Sequence, residues 1–220
     1  MESNKLTEQQ LKTALCEVRK AHRLIYEYQR RMQDLSWFIK NKLGFNKSKS
    51  IFEGYTRFSE SLSNREGNNV SGKSPWDWLY SYVYEYFLGY QEGNAHTLGL
   101  SVIQITDTGY YAKKGATKSD LSTFLPAEES DTRLMFYMVK REDESKETNM
   151  DWKAKEIIEE YACALKKKDI IFPSNRKDLV RVIFTVPLSR FVDEESTMKV
   201  LHEFVEYCNK KVGTQLKIQQ

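Results

Sequence analysis

Ser74-Pro-Trp-Asp-Trp-Leu-Tyr-Ser-Tyr-Val-Tyr-Glu-Tyr-Phe-Leu-Gly-Tyr90 is the stretch whose reading decides the fold class. From Trp76 to Tyr90 every even position is large and apolar or amphipathic, while the odd positions, Asp77, Leu79, Ser81, Val83, Glu85 and Phe87, are mixed. A period of two places alternate side chains on opposite faces of a strand, so this pattern predicts one face on a core and the other partly wet. The start reads differently. Ser74 suits a helix N-cap, Pro75 the first helical position and Asp77 the positive end of the helix dipole. The expectation is one helical turn over Pro75–Leu79, then a strand over Tyr80–Tyr90 whose aromatic ladder faces one way.

Upstream, Thr7 to Leu43 is the longest periodic segment, with no Pro or Gly before Gly44. Leu11, Val18, Ile25, Met32 and Ile39 form one heptad class and Ala14, Ala21, Tyr28 and Leu35 the other, which predicts a long helix of coiled-coil character. At 1.5 Å per residue it would exceed about 50 Å, so it needs a partner along its length, either a second copy or the chain's own helices. In this phase His22 lies beside the seam, as a flanking histidine rather than a metal ligand. Residues 45–74 turn polar, with a short helix around Ile51 to Phe58 and then a flexible loop.

Downstream, Leu98 to Tyr111 resumes a strand pattern and pairs with the aromatic strand as an antiparallel hairpin. Leu121 to Leu125 suits a single turn. Arg133–Arg141 reads as a third strand, Met150–Lys168 as an amphipathic helix, Leu179–Leu188 as a fourth strand, and Asp193–Val212 as a helix stopped by Gly213. The predicted fold is α+β: a long N-terminal helical arm (1–44), the linking segment 45–74, and a domain (75–220) with a mixed sheet of about four strands, β-β-β-α-β, covered by helices.

Composition narrows the function classes. With 34 basic and 31 acidic residues the net charge is +3, which suits neither a polyanion-coating protein nor an acid-rich one. Cys16, Cys163 and Cys208 are odd in number and far apart, against a disulfide framework or a CxxC metal site. The N-terminal segment has no signal-like apolar region and no run approaches a membrane span, so the reading is cytoplasmic, with no membrane partner.

Gly67-Asn-Asn-Val-Ser-Gly-Lys-Ser74 fits the G-x-x-x-x-G-K-[ST] phosphate-loop pattern, which makes Gly67, Gly72, Lys73 and Ser74 candidate nucleotide ligands. The pattern needs a buried strand leading into it, and Phe-Ser-Glu-Ser-Leu-Ser-Asn-Arg-Glu is not one. A polar Gly-Asn-Ser-Lys loop explains the same letters. Lys113, Lys114 and Lys118 beside Tyr110 and Tyr111 give a minimal nucleic-acid patch, or ordinary loop charges. No Ser or Cys has a nucleophile context, and neither a metal site nor a cofactor is indicated.

Asp107 ends the apolar run Val-Ile-Gln-Ile-Thr-Asp, Lys140 closes the third strand, and Glu85 lies on the neighbouring one. With these residues the element order α-β-β-β-α-β resembles the restriction-endonuclease-like nuclease core over most of residues 50–190. That resemblance implies a divalent metal held by carboxylates of the second and third strands, beside a lysine. Met138 stands where the family's third-strand Glu belongs, which leaves such a metal short of a charged ligand. The function expected from the sequence is a non-enzymatic interaction protein that oligomerises or docks a protein partner through its first helix. The alternative is a nuclease-like or nucleotide-binding protein with a degenerate site.

Overall fold

The computed structural model describes residues 7–45, 56–58, 83–93, 96–109, 121–142, 169–173 and 179–219. The elements are α1 (Glu8–Leu43), β1 (Thr56–Phe58), β2 (Val83–Glu92), β3 (His96–Ile105), β4 (Arg133–Glu142), β5 (Asp169–Pro173), β6 (Leu179–Pro187) and α2 (Glu194–Val212), with 3-10 turns at Leu121–Thr123, Ala127–Glu129 and Leu188–Arg190. The class is α+β, as the sequence predicts. The chain divides into two compact units, Met1–Ile39 and Lys40–Gln220.

Among the described residues the sheet has six strands in the order β1-β2-β3-β4-β6-β5, and every neighbouring pair is antiparallel. The sequence anticipates four strands and a mixed sheet. The four long strands correspond to those four, and β1 and β5 are short additions at the two edges. Antiparallel pairing of β4 with β6 follows from β5, which takes the edge before the chain returns between β5 and β4. The helix expected over Met150–Lys168, the helical turn over Pro75–Leu79 and Tyr80 and Tyr82 of the ladder lie outside the described residues. Thr56–Phe58, read from sequence as part of a short helix, is strand β1.

The aromatic ladder does not keep to one face. Register holds from Val83↔Ile105 to Phe87↔Ser101 and then slips, with Gly89 opposite Leu100, so Leu88 is the extra residue of a β-bulge. Gly89 takes φ +114°, a conformation that L side chains rarely adopt. Beyond the bulge the parity inverts, so Tyr90 shares a face with Phe87, at 5.0 Å between ring centroids, rather than with Tyr86.

Strands β3 and β4 are buried on both faces from Leu98 to Ile105 and from Leu134 to Val139, which is why their sequences run apolar almost without interruption. One face carries Leu100, Val102, Phe136, Val182 and Phe184. Helix α2 covers it, with Phe204 at 4.8 Å from Phe136 and 5.7 Å from Phe184 between ring centroids. The side of α2 that does so is buried at Val200, Leu201, Phe204 and Cys208. The helix starts in a capping box, where Asp193 accepts from the Ser196 amide at 2.8 Å and Ser196 Oγ accepts from the Asp193 amide at 3.0 Å. It ends at Gly213, φ +65°. The other face of the sheet is mixed: Ile103, Met135, Val139 and Ile183 are buried there beside Glu85, Ser101, Tyr137 and Thr185.

The chain after α2 is tied down. Asn209 Nδ2 donates to the Leu216 carbonyl at 2.9 Å, and its Oδ1 accepts from the Leu216 amide at 2.7 Å. His96 Nε2 donates to the Thr214 carbonyl at 2.8 Å. Further on, the Gln219 amide donates to the Lys42 carbonyl at 2.7 Å and Gln91 Nε2 to that of Leu43 at 3.3 Å, so the tail and β2 both hold the end of α1.

Candidate functional site

Helix α1 begins where Thr7 and Gln10 cap each other: the Thr7 amide donates to Gln10 Oε1 at 2.8 Å and the Gln10 amide to Thr7 Oγ1 at 3.2 Å. It ends where Gly44 enters the left-handed region at φ +72° and the Phe45 amide reaches back to the Lys40 carbonyl at 3.2 Å. Between these caps nothing breaks it for 36 residues. Along its second half a line of side chains is buried at Met32, Ser36, Ile39 and Leu43, a 4-3-4 spacing. Continued toward the N-terminus, the same line runs through Gln29, Ile25, His22, Val18, Leu15 and Leu11, and there it is open. Leu11 and Leu15 are each 47% exposed, Val18 50% and Ile25 39%.

This shifts the seam by one class from the sequence reading. The buried positions take Leu15 and His22 into the line, where heptad counting puts Ala14 and Ala21 and leaves His22 outside. The signal was present in Leu15 four residues after Leu11 and Leu43 four after Ile39, and it lost to the alanines. The alanines flank the line and keep one shoulder of it low. Two further apolar side chains stand off it, Leu24 at 72% and Tyr26 at 67% exposure. The polar surface is laced with local pairs, Glu8–Lys12, Glu17–Lys20 and Glu27–Arg30, all highly exposed and worth a few tenths of a kcal/mol each. The open half of α1 is thus a helix whose apolar stripe is one to two side chains wide and whose other surfaces are solvated.

The residues that the sequence proposes for chemistry are spread out. Glu85 lies on the mixed face of the sheet, buried, and accepts a 2.6 Å hydrogen bond from Ser101 Oγ. Lys140 projects from the opposite face, five positions further along the β4 register. It donates to the Val212 carbonyl at 3.0 Å, neutralising the negative end of the α2 dipole. Asp107 sits in the turn after β3, where Oδ1 accepts from the Gly109 amide at 2.7 Å. The three do not converge, and among the described residues no group of three or more His, Cys, Asp or Glu could hold a metal ion. Gly67, Gly72, Lys73 and Ser74 lie outside the described residues, as do Tyr110, Tyr111, Lys113, Lys114 and Lys118. His96 joins the chain that follows α2.

The sheet contributes one polar group that sequence reading misses. Glu85, Ser101, Tyr137, Arg141 and Arg181 share the mixed face, brought together by pairing of β2, β3, β4 and β6. In isolation each reads as an outward residue of a half-wet strand, and only neighbours on both sides reveal that Glu85, Ser101 and Tyr137 are buried and Arg141 and Arg181 half-buried. Cys208 is enclosed beneath α2, where burial pushes its thiol up, away from the reactive thiolate. No helix among the described residues is long and apolar enough to cross a membrane.

No curated protein and no solved structure matches the chain. One family model does, over residues 8–215, from the first turn of α1 to the tail after α2, and its designation states no activity. With nearly its whole length matched, the chain belongs to the PM0109 family.

Proposed function

We propose that this is a cytoplasmic, non-enzymatic binding protein that docks a macromolecular partner through the N-terminal half of α1. One observation supports the reading: Leu11, Leu15, Val18 and Ile25 continue, in phase and in the open, a line whose later members are buried. An apolar stripe at i, i+4, i+7 spacing is the pattern by which helices engage grooves or other helices. The sheet domain then acts as the scaffold that holds the root of this helix, through the contacts of Lys42 and Leu43 with Gln219 and Gln91.

Site-specific photocrosslinking tests this. A benzophenone side chain placed at Leu15 or Val18 should yield a covalent adduct in cells, whereas the same group at Lys20, on the solvated side, should not. Absence of any adduct from the stripe, or equal yield from both sides, would remove the reading.

A further inference from the structure

Resting on that reading, we infer that the occupant of the stripe is a helix of another protein, apolar along its contact line and edged on one side with Asp or Glu. The two margins of the stripe are unlike. With Leu11, Val18 and Ile25 in one heptad class and Leu15 and His22 in the other, one margin is the row Lys12, Arg19 and Tyr26, and the opposite margin is the row Ala14, Ala21 and Tyr28. Arg23 and Arg30 stand directly behind the first row, so that side of the helix gathers four cations before Met32. The alanine margin has none, and Glu17 lies beyond it.

Each margin selects what lies against it. Small side chains let a neighbouring helix come close on the alanine side, while the cationic side calls for carboxylates. Three of the four cations are arginines, whose planar fork donates two parallel hydrogen bonds to one carboxylate. Arg19 and Arg23 are exposed and have no ion pair among the described residues. Among those residues Lys12 pairs with Glu8 and Arg30 with Glu27, in solvated contacts that are readily exchanged.

A second copy of α1 does not supply the carboxylates. Side by side and parallel, two such helices set the cationic margin of each against the alanine margin of the other; antiparallel, they set cations against cations. An anionic membrane would take a wide apolar face with a strongly cationic polar face behind it, whereas this line is interrupted by His22 and Gln29 and backed by Glu17 and Glu27 as well as by cations. Nucleic acid would meet the arginines and leave Leu11, Leu15, Val18 and Ile25 uncovered. A helix with an apolar line and an acidic edge answers both parts of the pattern. Exposed ion pairs are individually weak, so the apolar line supplies most of the affinity and the charges choose the partner and the side on which it lies.

Two experiments on the full chain test this. With benzophenone at Leu15, Arg19→Glu should lower the adduct yield in cells about fivefold, whereas Lys20→Glu, the same change of charge on the solvated side, should leave it unchanged. In fluorescence anisotropy, a synthetic leucine-striped helix with glutamates along one edge should bind about tenfold more tightly than its lysine-edged counterpart, and Arg19→Glu combined with Arg23→Glu should reverse that order. All three substituted positions are exposed, so unchanged circular dichroism separates these effects from misfolding. Equal binding of the two peptides, or binding of neither, would overturn the inference. So would an adduct whose mass is that of two copies of the chain, or one that is lipid or nucleic acid. Full adduct yield in Arg19→Glu would overturn the acidic partner and leave docking through α1 standing, while the absence of any adduct from the parent stripe would remove the docking reading beneath it.

Discussion

Ser101 on β3 donates a 2.6 Å hydrogen bond to the Glu85 carboxylate on β2, two positions away along the register, and both side chains are buried. A carboxylate withdrawn from water depends on such donors, and losing one costs about 1 to 3 kcal/mol. Ser101→Ala should therefore lower the unfolding free energy by that amount, read as a lower urea midpoint at unchanged slope, while Ser101→Thr, which keeps the hydroxyl, should lower it less. An unchanged midpoint in Ser101→Ala would mean that Glu85 is held by its other contacts alone.

Lys140 offers a contrast between a catalytic and a structural lysine. Its ammonium is largely covered and bonds the last carbonyl of α2 at 3.0 Å. Lys140→Met keeps the stem and removes the charge-assisted bond, worth roughly 1.5 to 3 kcal/mol. The expected result is a lower unfolding midpoint together with faster amide exchange in the last turn of α2.

Asp193 links stability to pH. Its pKa is held below the ordinary 3.8 by the Ser196 hydroxyl and then the Ser196 amide. A depressed folded-state value means that the stabilisation is present above the unfolded value and is lost as pH falls through the folded one. Asp193→Ala should thus unfold at lower temperature than the parent at pH 7, and the gap should narrow below about pH 4. A gap that stays constant from pH 7 to pH 3 would assign the effect to the backbone geometry of the cap.

Position along α1 separates two costs. Ile39, buried, should lose about 2 to 5 kcal/mol on substitution by alanine. Val18, half exposed on the same line, should lose less than about 0.5 kcal/mol when measured at concentrations where the chain is monomeric. Urea unfolding of both variants at low concentration checks this. Comparable losses at the two sites would show that the N-terminal half of the helix is already covered within one chain.

Phe204 measures how far α2 supports the sheet. It is fully buried against Phe136 and Phe184. In urea unfolding Phe204→Ala should cost about 3 to 5 kcal/mol, and Phe204→Leu clearly less.

How much of this could be read from the letters differs by element. The long helix, the four long strands and α2 are legible because each carries its period and its stops: Gly44, Pro187, Asp193 and Gly213. The bulge at Leu88 is not, because one added residue leaves no mark in an alternating run of aromatics, and so Tyr90 is assigned to the wrong face. Strand β5 is missed because Pro173 reads as a loop, although an edge strand tolerates proline where a central one does not. The polar group around Glu85 is hidden for a related reason. A strand's sequence tells which residues share a face, not whether that face is covered, and coverage comes from segments far away in the chain. On α1 the stripe is legible and its phase is not, since Ala14 and Leu15 fit neighbouring templates equally well until Met32 and Ser36 are found buried.

The bond from the Gln219 amide to the Lys42 carbonyl gives synthesis a fixed order. A nascent chain leaving the ribosome can wind α1 early, but the end of that helix has at most the clasp from Gln91 until every strand, then α2, and then Gln219 have followed it out. Shorter translation intermediates therefore hold the rod without the second of its two clasps.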